Sequence, residues 1–293
     1  MPLLKQSLMN RPIFPPRRLD SHKGDYGRLF IIAGSLGMSG AALLAAKGAL
    51  RTGAGLVFLG VPSSLTSVVE SAVLEVIAKP LTESKKGFIG LKAYSFICEF
   101  SKQVDALILG PGLSRNRETE RLIRELIKVL DKPLVVDADA LNALSVHLDV
   151  LLQRKAEMII TPHPGEFARL LKKSVEEIEK EREKLTLEFA RRYKLTVVLK
   201  GYGTVVSSAK GEVYVNHTGN PGMATAGMGD VLSGMIGSLL ARGFSCFEAA
   251  KLGVYLHGLA GDLSAQEKGE EGMIASDLIE MIPEAIKKEM NRH

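Results

Sequence analysis

Six short apolar runs, at residues 29–33, 55–61, 104–109, 133–136, 158–160 and 196–199, recur along the chain with helical patterns between them. Each run is apolar throughout rather than at alternate positions, the mark of strands covered on both faces. Such strands separated by helices build a mostly parallel sheet between two helical layers, so the fold class is α/β. One exception stands at 203–208 and 212–216, where two strand patterns joined by Ala209, Lys210 and Gly211 read as a hairpin. No repeat, low-complexity tract or linker divides the 293 residues, which favours a single domain over 20–293 preceded by an arm at 1–19.

Glycine is the outlier of the composition: 29 residues, against an average near ~7%. Glycine-rich turns follow the strands at 34–40, 110–112 and 161–165. Open α/β sheets bind ligands beyond the carboxyl ends of their strands, so these turns are expected to line one crevice.

Charge narrows the partners. Lys and Arg number 38 against 33 Asp and Glu, a net +5 without any block of like charge, and aromatics are only 5% with no Trp. A nucleic-acid binder concentrates its cations on one face and interleaves them with stacking rings, so nucleic acid is not expected. No stretch approaches ~18 uninterrupted apolar residues, so no membrane span is expected. The first 20 residues carry Lys5, Arg11, Arg17 and Arg18 among four prolines, without the apolar run of a signal peptide, and a cytoplasmic protein is expected. Cys98 and Cys246 show no CxxC spacing and read as buried free thiols. The six histidines have no metal-ligand spacing, and no metal site is predicted on them.

The most informative segment is Thr218-Gly-Asn-Pro-Gly-Met-Ala-Thr-Ala-Gly-Met-Gly-Asp230, which leads straight into a helical pattern at 231–241. Backbone N–H groups of Gly227, Met228 and Gly229 at a helix start suit a phosphate, with the helix dipole adding positive potential. A carboxylate beside them, Asp230, is placed to take the proton of a hydroxyl attacking that phosphate; the competing reading is a plain helix cap. A second segment, Val197-Val-Leu-Lys-Gly-Tyr-Gly-Thr-Val205, delivers Lys200 and Gly201 into a tight turn that suits either a nucleotide or an ordinary hairpin start. There is no GxxxxGK[ST], and Gly34, Gly37 and Gly40 have GxxGxxG rather than GxGxxG spacing, so neither a P-loop nor a Rossmann fingerprint is present. A third segment, Thr161-Pro-His-Pro-Gly-Glu166, sets His163 between prolines at a strand end. Asp137 and Asp139 stand at another strand end, either capping the next helix or acting indirectly on a nucleotide-borne Mg²⁺. The polar pattern at 172–192 reads as one solvated helix face without a function.

Together these motifs resemble the ADP/ATP-dependent NAD(P)H-hydrate dehydratases of the ribokinase-like superfamily. The matching residues are Asp20-Ser-His-Lys-Gly24 with Gly27, Ala33-Gly-Ser-Leu-Gly-Met-Ser-Gly-Ala41, Gly110-Pro-Gly112, Asp137-Ala-Asp-Ala-Leu-Asn142, Thr161-Pro-His-Pro-Gly-Glu166, Lys200-Gly201 with Thr204, and the run from Gly219-Asn220 to Gly229-Asp230. The resemblance implies a three-layer ribokinase-like fold and repair of a damaged coenzyme. In that reaction the S-epimer of hydrated NADH or NADPH loses water at the expense of ADP or ATP, accompanied by Mg²⁺.

The resemblance also implies roles by position. Asp230 would be the base, with Gly227 and Gly229 steadying the phosphate charge. Ala41, Gly112, His163 and Asp230 would contact the hydrated coenzyme. Lys200, Gly201, Tyr202, Gly203, Thr204 and Gly229 would bind the nucleotide. Where relatives often have Gly-Gly-Thr-Gly-Asp this chain has Ala226-Gly-Met-Gly-Asp230, so Met228 offers only its backbone amide. An epimerase domain carried by some relatives is not expected here, so a separate epimerase would supply substrate, and a homotetramer would be the assembly. The alternatives are a ribokinase-like kinase acting on a small alcohol, such as a vitamin precursor, and a non-catalytic nucleotide-binding regulator.

Overall fold

The alternation in the sequence resolves into eleven strands and twelve α-helices in a computed structural model that describes Phe14 and residues 17–291. The first third contains β1 (Arg28–Ile32), α1 (Ser39–Arg51), β2 (Leu56–Pro62), α2 (Thr66–Ala72), β3 (Ile77–Leu81), β4 (Glu83–Lys85), β5 (Phe88–Ile89) and α3 (Tyr94–Ser101). Next come β6 (Ala106–Leu109), α4 (Arg117–Val129), β7 (Leu134–Val136), α5 (Asp139–Leu144), α6 (Val150–Gln153), β8 (Met158–Ile160) and α7 (Pro164–Leu171). The remainder holds α8 (Val175–Lys180), α9 (Arg182–Tyr193), β9 (Thr196–Leu199), β10 (Val205–Ser207), β11 (Val213–Val215), α10 (Met228–Ala241), α11 (Cys246–Lys268) and α12 (Ala275–Met290).

Nine strands form one sheet in the order β11-β10-β9-β8-β7-β6-β1-β2-β3. All neighbours from β3 to β9 pair in parallel, and β9, β10 and β11 pair antiparallel, as the hairpin pattern predicts. Each central strand is apolar throughout because successive side chains enter different layers. Leu29 and Ile31 of β1, Ile108 of β6 and Ile159 of β8 pack under α1, α10, α11 and α12. Phe30 and Ile32, Leu107 and Leu109, and Met158 and Ile160 pack under α3 to α9.

Sheet order reverses beside β1: β2 and β3 lie to one side of it, and β6 onward to the other. The loops after β1 and β6 therefore diverge and leave a crevice at the carboxyl ends of the strands. That crevice is where the glycine turns at 34–40 and 110–112 are found.

Several elements depart from the sequence expectations. β3, β4 and β5 are additional to the six runs. β3 is an edge strand whose Lys79 and Pro80 interrupt any apolar run, a composition that protects an open edge. The polar pattern at 172–192 is two helices, α8 and α9, broken at Glu181, whose φ of −128° and ψ of 38° are not helical. Cys98 and Cys246 are free but only partly buried. Most of the 1–19 arm lies outside the described residues. Of its described part, Phe14 is buried, meets Phe244 edge-on with centroids 5.9 Å apart, and lies under the Arg242 guanidinium. No helix among the described residues is long and apolar enough to cross a membrane.

Candidate active site

The amino end of α10 is the centre of the site. Gly227 precedes the helix at φ +90°, and a Cβ there would fall 2.5 Å from Leu44 Cδ1 of α1, so the turn requires glycine. Helix geometry leaves the N–H groups of the first turn without intrahelical partners, which makes this a cradle for an anion. Asp230 is the third residue of α10 and not its cap; the cap position, Gly227, receives no side-chain hydrogen bond. Buried His257 of α11 supports the turn, its Nε2 lying 3.0 Å from the Met228 carbonyl oxygen. Burial pushes the His257 pKa down to about 4, so the neutral ring donates Nε2–H to a carbonyl that can only accept.

Two strand ends deliver charge to the cradle. Lys200, just beyond β9, places Nζ 2.8 Å from Asp137 Oδ1 at the end of β7. Ser233 of α10 donates its hydroxyl to Asp137 Oδ2 at 2.6 Å. Lys200 Nζ also lies where a Cβ on Gly229 would be only 3.3 Å away, so the ammonium sits against the first turn of α10. Burial pulls the Lys200 pKa down, but the carboxylates of Asp137 and Glu166 outweigh it and hold it above the ordinary value. For Asp230 the balance goes the other way: burial, then the negative charge of Asp137, raise its pKa to about 7 against the opposing pull of Lys200. A carboxylate poised near neutrality is suited to accept a proton.

The switch-point crevice flanks this cradle. Gly112, after β6, has φ +63°, and a Cβ on it would meet Ala41 Cβ at 2.9 Å and the Met38 carbonyl at 2.7 Å. The structure thus brings together Ala41 and Gly112, two residues far apart in sequence. Gly34 donates its N–H to the Pro111 carbonyl at 2.8 Å, and Ser35 its hydroxyl to the Gly112 carbonyl at 2.8 Å, fastening the two loops. The Ser35 hydroxyl is fully buried, so its hydrogen bond is structural rather than free for a ligand.

His163 follows β8 and caps α7, its Nδ1 accepting N–H groups from Gly165 at 3.0 Å and Glu166 at 3.3 Å. The reciprocal bond runs from His163 N–H to Glu166 Oε2 at 2.8 Å, closing a capping box. Because Nδ1 accepts, the neutral ring carries its proton on Nε2. Burial and the cations Lys200 and Arg169 lower its pKa, so at neutral pH its 3.5 Å approach to Glu166 is not an ion pair. His163 therefore combines the structural role open to a lone histidine with a position in the crevice, tied to Lys200 by the bond from Lys200 N–H to the Pro162 carbonyl at 2.9 Å.

The turn after β9 begins the antiparallel hairpin. Gly201 has φ +131° and Gly203 φ +62°, values that L side chains rarely adopt. Arg182 of α9, from the stretch that reads in sequence as a solvated face, donates to the carbonyls of Leu199 and Lys200 at 3.0 and 3.1 Å. Its guanidinium fills the space beside Gly201. Thr204 donates its hydroxyl to the Gly201 carbonyl at 2.9 Å, and Tyr202 projects fully into solvent at the rim. Further along, Asp262 of α11 accepts from Gly219 N–H at 3.0 Å and Asn220 Nδ2 at 3.2 Å, pinning the loop that leads to the cradle.

Sequence patterns single out Ala41, Gly112, His163, Lys200–Thr204, Gly227, Gly229 and Asp230, and all occupy this carboxyl end of the sheet or the facing helix start. What the sequence conceals are the partners that position them: Ser233, Arg182, His257 and Asp262. Helical periodicity was the one available signal, because Ser233 lies three residues after Asp230 on the same helix face. Asp137 does not cap α5, whose cap is Ala138, while Asp139 accepts from Ser114 N–H at 2.8 Å and Asn142 Nδ2 at 3.3 Å. Among the described residues no group of three or more His, Cys, Asp or Glu is placed to hold a metal ion. An open cleft of about 660 Å³ lies at the other end of the strands, lined by Asp105, Pro133 and Glu157 just before β6, β7 and β8, and holds none of these groups.

Comparison with known proteins agrees with this geometry. Residues 29–284 match the family described as NAD(P)H-hydrate dehydratase. The ADP-dependent (S)-NAD(P)H-hydrate dehydratase of Neisseria meningitidis is 37% identical over 281 residues, covering 94% of this chain and 90% of that one. The bifunctional NAD(P)H-hydrate repair enzyme Nnr of Moorella thermoacetica is 42% identical over 277 residues, 94% of this chain but 52% of that protein. The chain thus spans about half the length of such bifunctional relatives. In structure it resembles the ADP/ATP-dependent NAD(P)H-hydrate dehydratase of Bacillus subtilis co-crystallized with ATP/Mg²⁺, with a TM-score of 0.80, 30% identity and 94% of each chain covered. A ribokinase-like sheet, a glycine-started cradle with a half-buried aspartate in its first turn, and these matches along nearly the whole chain lead to one conclusion: the chain belongs to the NAD(P)H-hydrate dehydratase family.

Proposed function

We propose that the protein removes water from the S-epimer of hydrated NADH or NADPH at the expense of ADP or ATP, restoring the reduced coenzyme. The observation that carries this reading is the half-buried Asp230 carboxylate in the first turn of α10, beside the amides of the helix start and the Lys200 ammonium. Hydroxide is a strong base and a poor leaving group. Phosphate is a far weaker base, so transferring a phosphoryl group onto the ring hydroxyl makes that oxygen able to leave.

Asp230 accepts the hydroxyl proton as the oxygen forms its bond to the terminal phosphorus. The bond from that phosphorus to the nucleotide breaks, releasing AMP from ADP or ADP from ATP. Amides of Gly227 to Gly229 stabilise the charge on the phosphoryl oxygens. The ring nitrogen lone pair then expels phosphate from carbon, and loss of a ring proton completes the double bond. Lys200, Gly201, Tyr202, Gly203, Thr204 and Gly229 hold the nucleotide, and Ala41, Gly112 and His163 hold the hydrated ring.

The site carboxylates do not form a metal cage of their own: Asp137 is occupied by Lys200 and Ser233, and Glu166 by the His163 amide. Mg²⁺ in this reading enters on the nucleotide's phosphate oxygens, where it supplies charge neutralisation.

An epimerase activity supplying the S-epimer, a cytoplasmic site of action and a homotetramer accompany this proposal. The small residues of α1 and α11 give no support to the tetramer. They are used within the chain, Gly48 against Val231 and Gly253 against Ile236.

The test follows absorbance near ~340 nm and free phosphate together, with epimer-checked hydrated NADH, Mg²⁺ and either nucleotide. A nucleotide-dependent rise with matching phosphate release is expected and names the donor. A stable phosphorylated alcohol without recovery of the reduced ring would overturn the reading in favour of a small-molecule kinase.

A further inference from the structure

We propose that Asp137 is a positioning residue that holds Lys200 against the amino end of α10, and that Ser233 locks it there. The inference rests on the reading of that helix end as the nucleotide's phosphate site. Asp137 is 1% exposed, and both its oxygens are engaged, Oδ1 by Lys200 Nζ at 2.8 Å and Oδ2 by the Ser233 hydroxyl at 2.6 Å. A buried carboxylate is tolerated only when its charge is paired and its lone pairs are satisfied, and here one cation and one hydroxyl do both.

The geometry links three elements. Asp137 immediately follows β7, Lys200 immediately follows β9, and Ser233 lies one turn beyond the cradle on the same helix that carries Asp230. The Lys200 ammonium sits close against Gly229, where a Cβ would lie 3.3 Å from Nζ and require it to give by a few tenths of an ångström. Only one of three ammonium donors is used by Asp137, which leaves the others for a phosphate.

The backbone around Asp137 is itself constrained. Gly110 has φ +138° and presses so near the Asp137 carbonyl that a Cβ would come within 1.8 Å of that oxygen. Ala138 takes φ +48° and ψ −117°, a conformation an alanine rarely adopts. The Asp137 carboxylate takes no part in capping α5; only its backbone carbonyl accepts, from Ala140 N–H at 3.1 Å. The conformations at Gly110 and Ala138 fix the carboxylate under the ammonium, where surrounding structure outweighs local strain.

Asp137 also faces the base electrostatically. The charged groups acting on Asp230 are Asp137 from β7, Lys200 from β9, Asp139 from α5 and Glu166 from α7. Of the carboxylates, Asp137 acts most strongly. Removing its charge while keeping its shape therefore alters the pH response of the base, an effect that simple loosening of the fold would not produce.

The experiment compares the wild type with Asp137→Asn, Ser233→Ala and Lys200→Met by calorimetric titration with ADP and ATP, alongside pH profiles of turnover. Asp137→Asn is expected to weaken nucleotide binding about tenfold or more and to move the acidic limb of kcat/KM to lower pH. Its effect on binding should largely vanish in the Lys200→Met background, because both act through one ammonium. Ser233→Ala, which leaves every charge in place, is expected to weaken binding a few-fold and carries the test alone if Asp137→Asn does not fold. Folded variants that bind nucleotide as tightly as the wild type, with an unmoved pH profile, would overturn the positioning role and leave the proposed reaction standing. A wild-type protein that binds neither nucleotide would overturn both.

Discussion

Gly234 of α10 lies so close to Ala45 of α1 that a Cβ on it would come within 2.0 Å of the Ala45 carbonyl oxygen. Gly48 of α1 makes the reciprocal approach, with a Cβ position 2.7 Å from the Val231 carbonyl. The two helices touch backbone to backbone, and their amino ends carry the two halves of the site, Ala41 on α1 and Asp230 on α10. The glycines therefore set the distance between Ala41, the proposed contact of the hydrated ring, and Asp230, its proposed base.

Gly234→Ala must push these helices apart. Overpacking of this kind costs about 1–3 kcal/mol or more, and a chain of this size loses ~2–4 °C for each kcal/mol. A thermal melt should show a fall of several degrees, with turnover reduced more than nucleotide binding. An unchanged melting temperature would show that the helices slide freely.

Asp230→Asn is expected to reduce turnover by about 10²-fold or more while nucleotide titration remains near normal, since the amide keeps the shape but cannot take the proton. Turnover at a tenth of normal or above would remove Asp230 as the base.

The pH dependence follows from the same carboxyl group. Its pKa of about 7 means that the basic form accumulates as pH rises, so kcat/KM should climb from pH 6 to 8 with a midpoint near that value. Stability moves the opposite way. Between the ordinary value of 3.8 and about 7 the folded chain holds a proton that the unfolded chain releases, so stability contributed by this group is present at low pH and lost as pH rises through that window. Asp230→Asn should consequently melt higher than the wild type at pH 8 and about equally at pH 4, where both carry a neutral side chain.

His163→Ala removes an acceptor for two amides and the ring that faces the crevice. Loss of the cap should cost about 1 kcal/mol, and KM for the hydrated coenzyme should rise while KM for the nucleotide stays constant. His163→Asn, which restores a capping acceptor, should recover the melting temperature but not the KM. Recovery of both would reduce His163 to a helix cap.

Arg182→Met should weaken nucleotide binding several-fold, because two carbonyls of the turn lose their donor and Gly201 loses the guanidinium packed beside it. Equal affinity for ADP in the variant and the wild type would show that the turn holds its shape without the arginine.

Strand assignments were legible where burial is two-sided, because Leu29, Ile31, Phe30 and Ile32 all need apolar cover and leave an unbroken run. β3 was not legible, since an edge strand carries Lys79 and Pro80 and shows no run at all. The break at Glu181 was hidden for a related reason: Glu and Lys at helical spacing suit one long helix or two short ones equally, and only the packing of Leu185, Phe189 and Tyr193 fixes where the second begins.

Within the site, backbone requirements showed through the sequence as glycine. Gly227 at φ +90°, Gly201 at φ +131° and Gly112 at φ +63° stand at turns where an L side chain is strained. Gly229 has no such φ; its Cβ position lies 3.3 Å from the Lys200 ammonium, a tight approach visible only once the end of β9 and α10 are side by side.

Alone, the sequence carried the layered α/β class and the turns at the strand ends, because burial periodicity and φ requirements are local properties written at each position, and its motifs carried the family resemblance that nominates the ligand-binding residues. The tertiary structure alone decided which of those residues meet. It made Asp137 a side-chain partner of Lys200 rather than a cap, drew Arg182 from a polar helix onto the turn after β9, and raised the Asp230 pKa by burial among other charges. Pairing and desolvation depend on what the fold places within a few ångströms, a distance that separation along the chain does not encode.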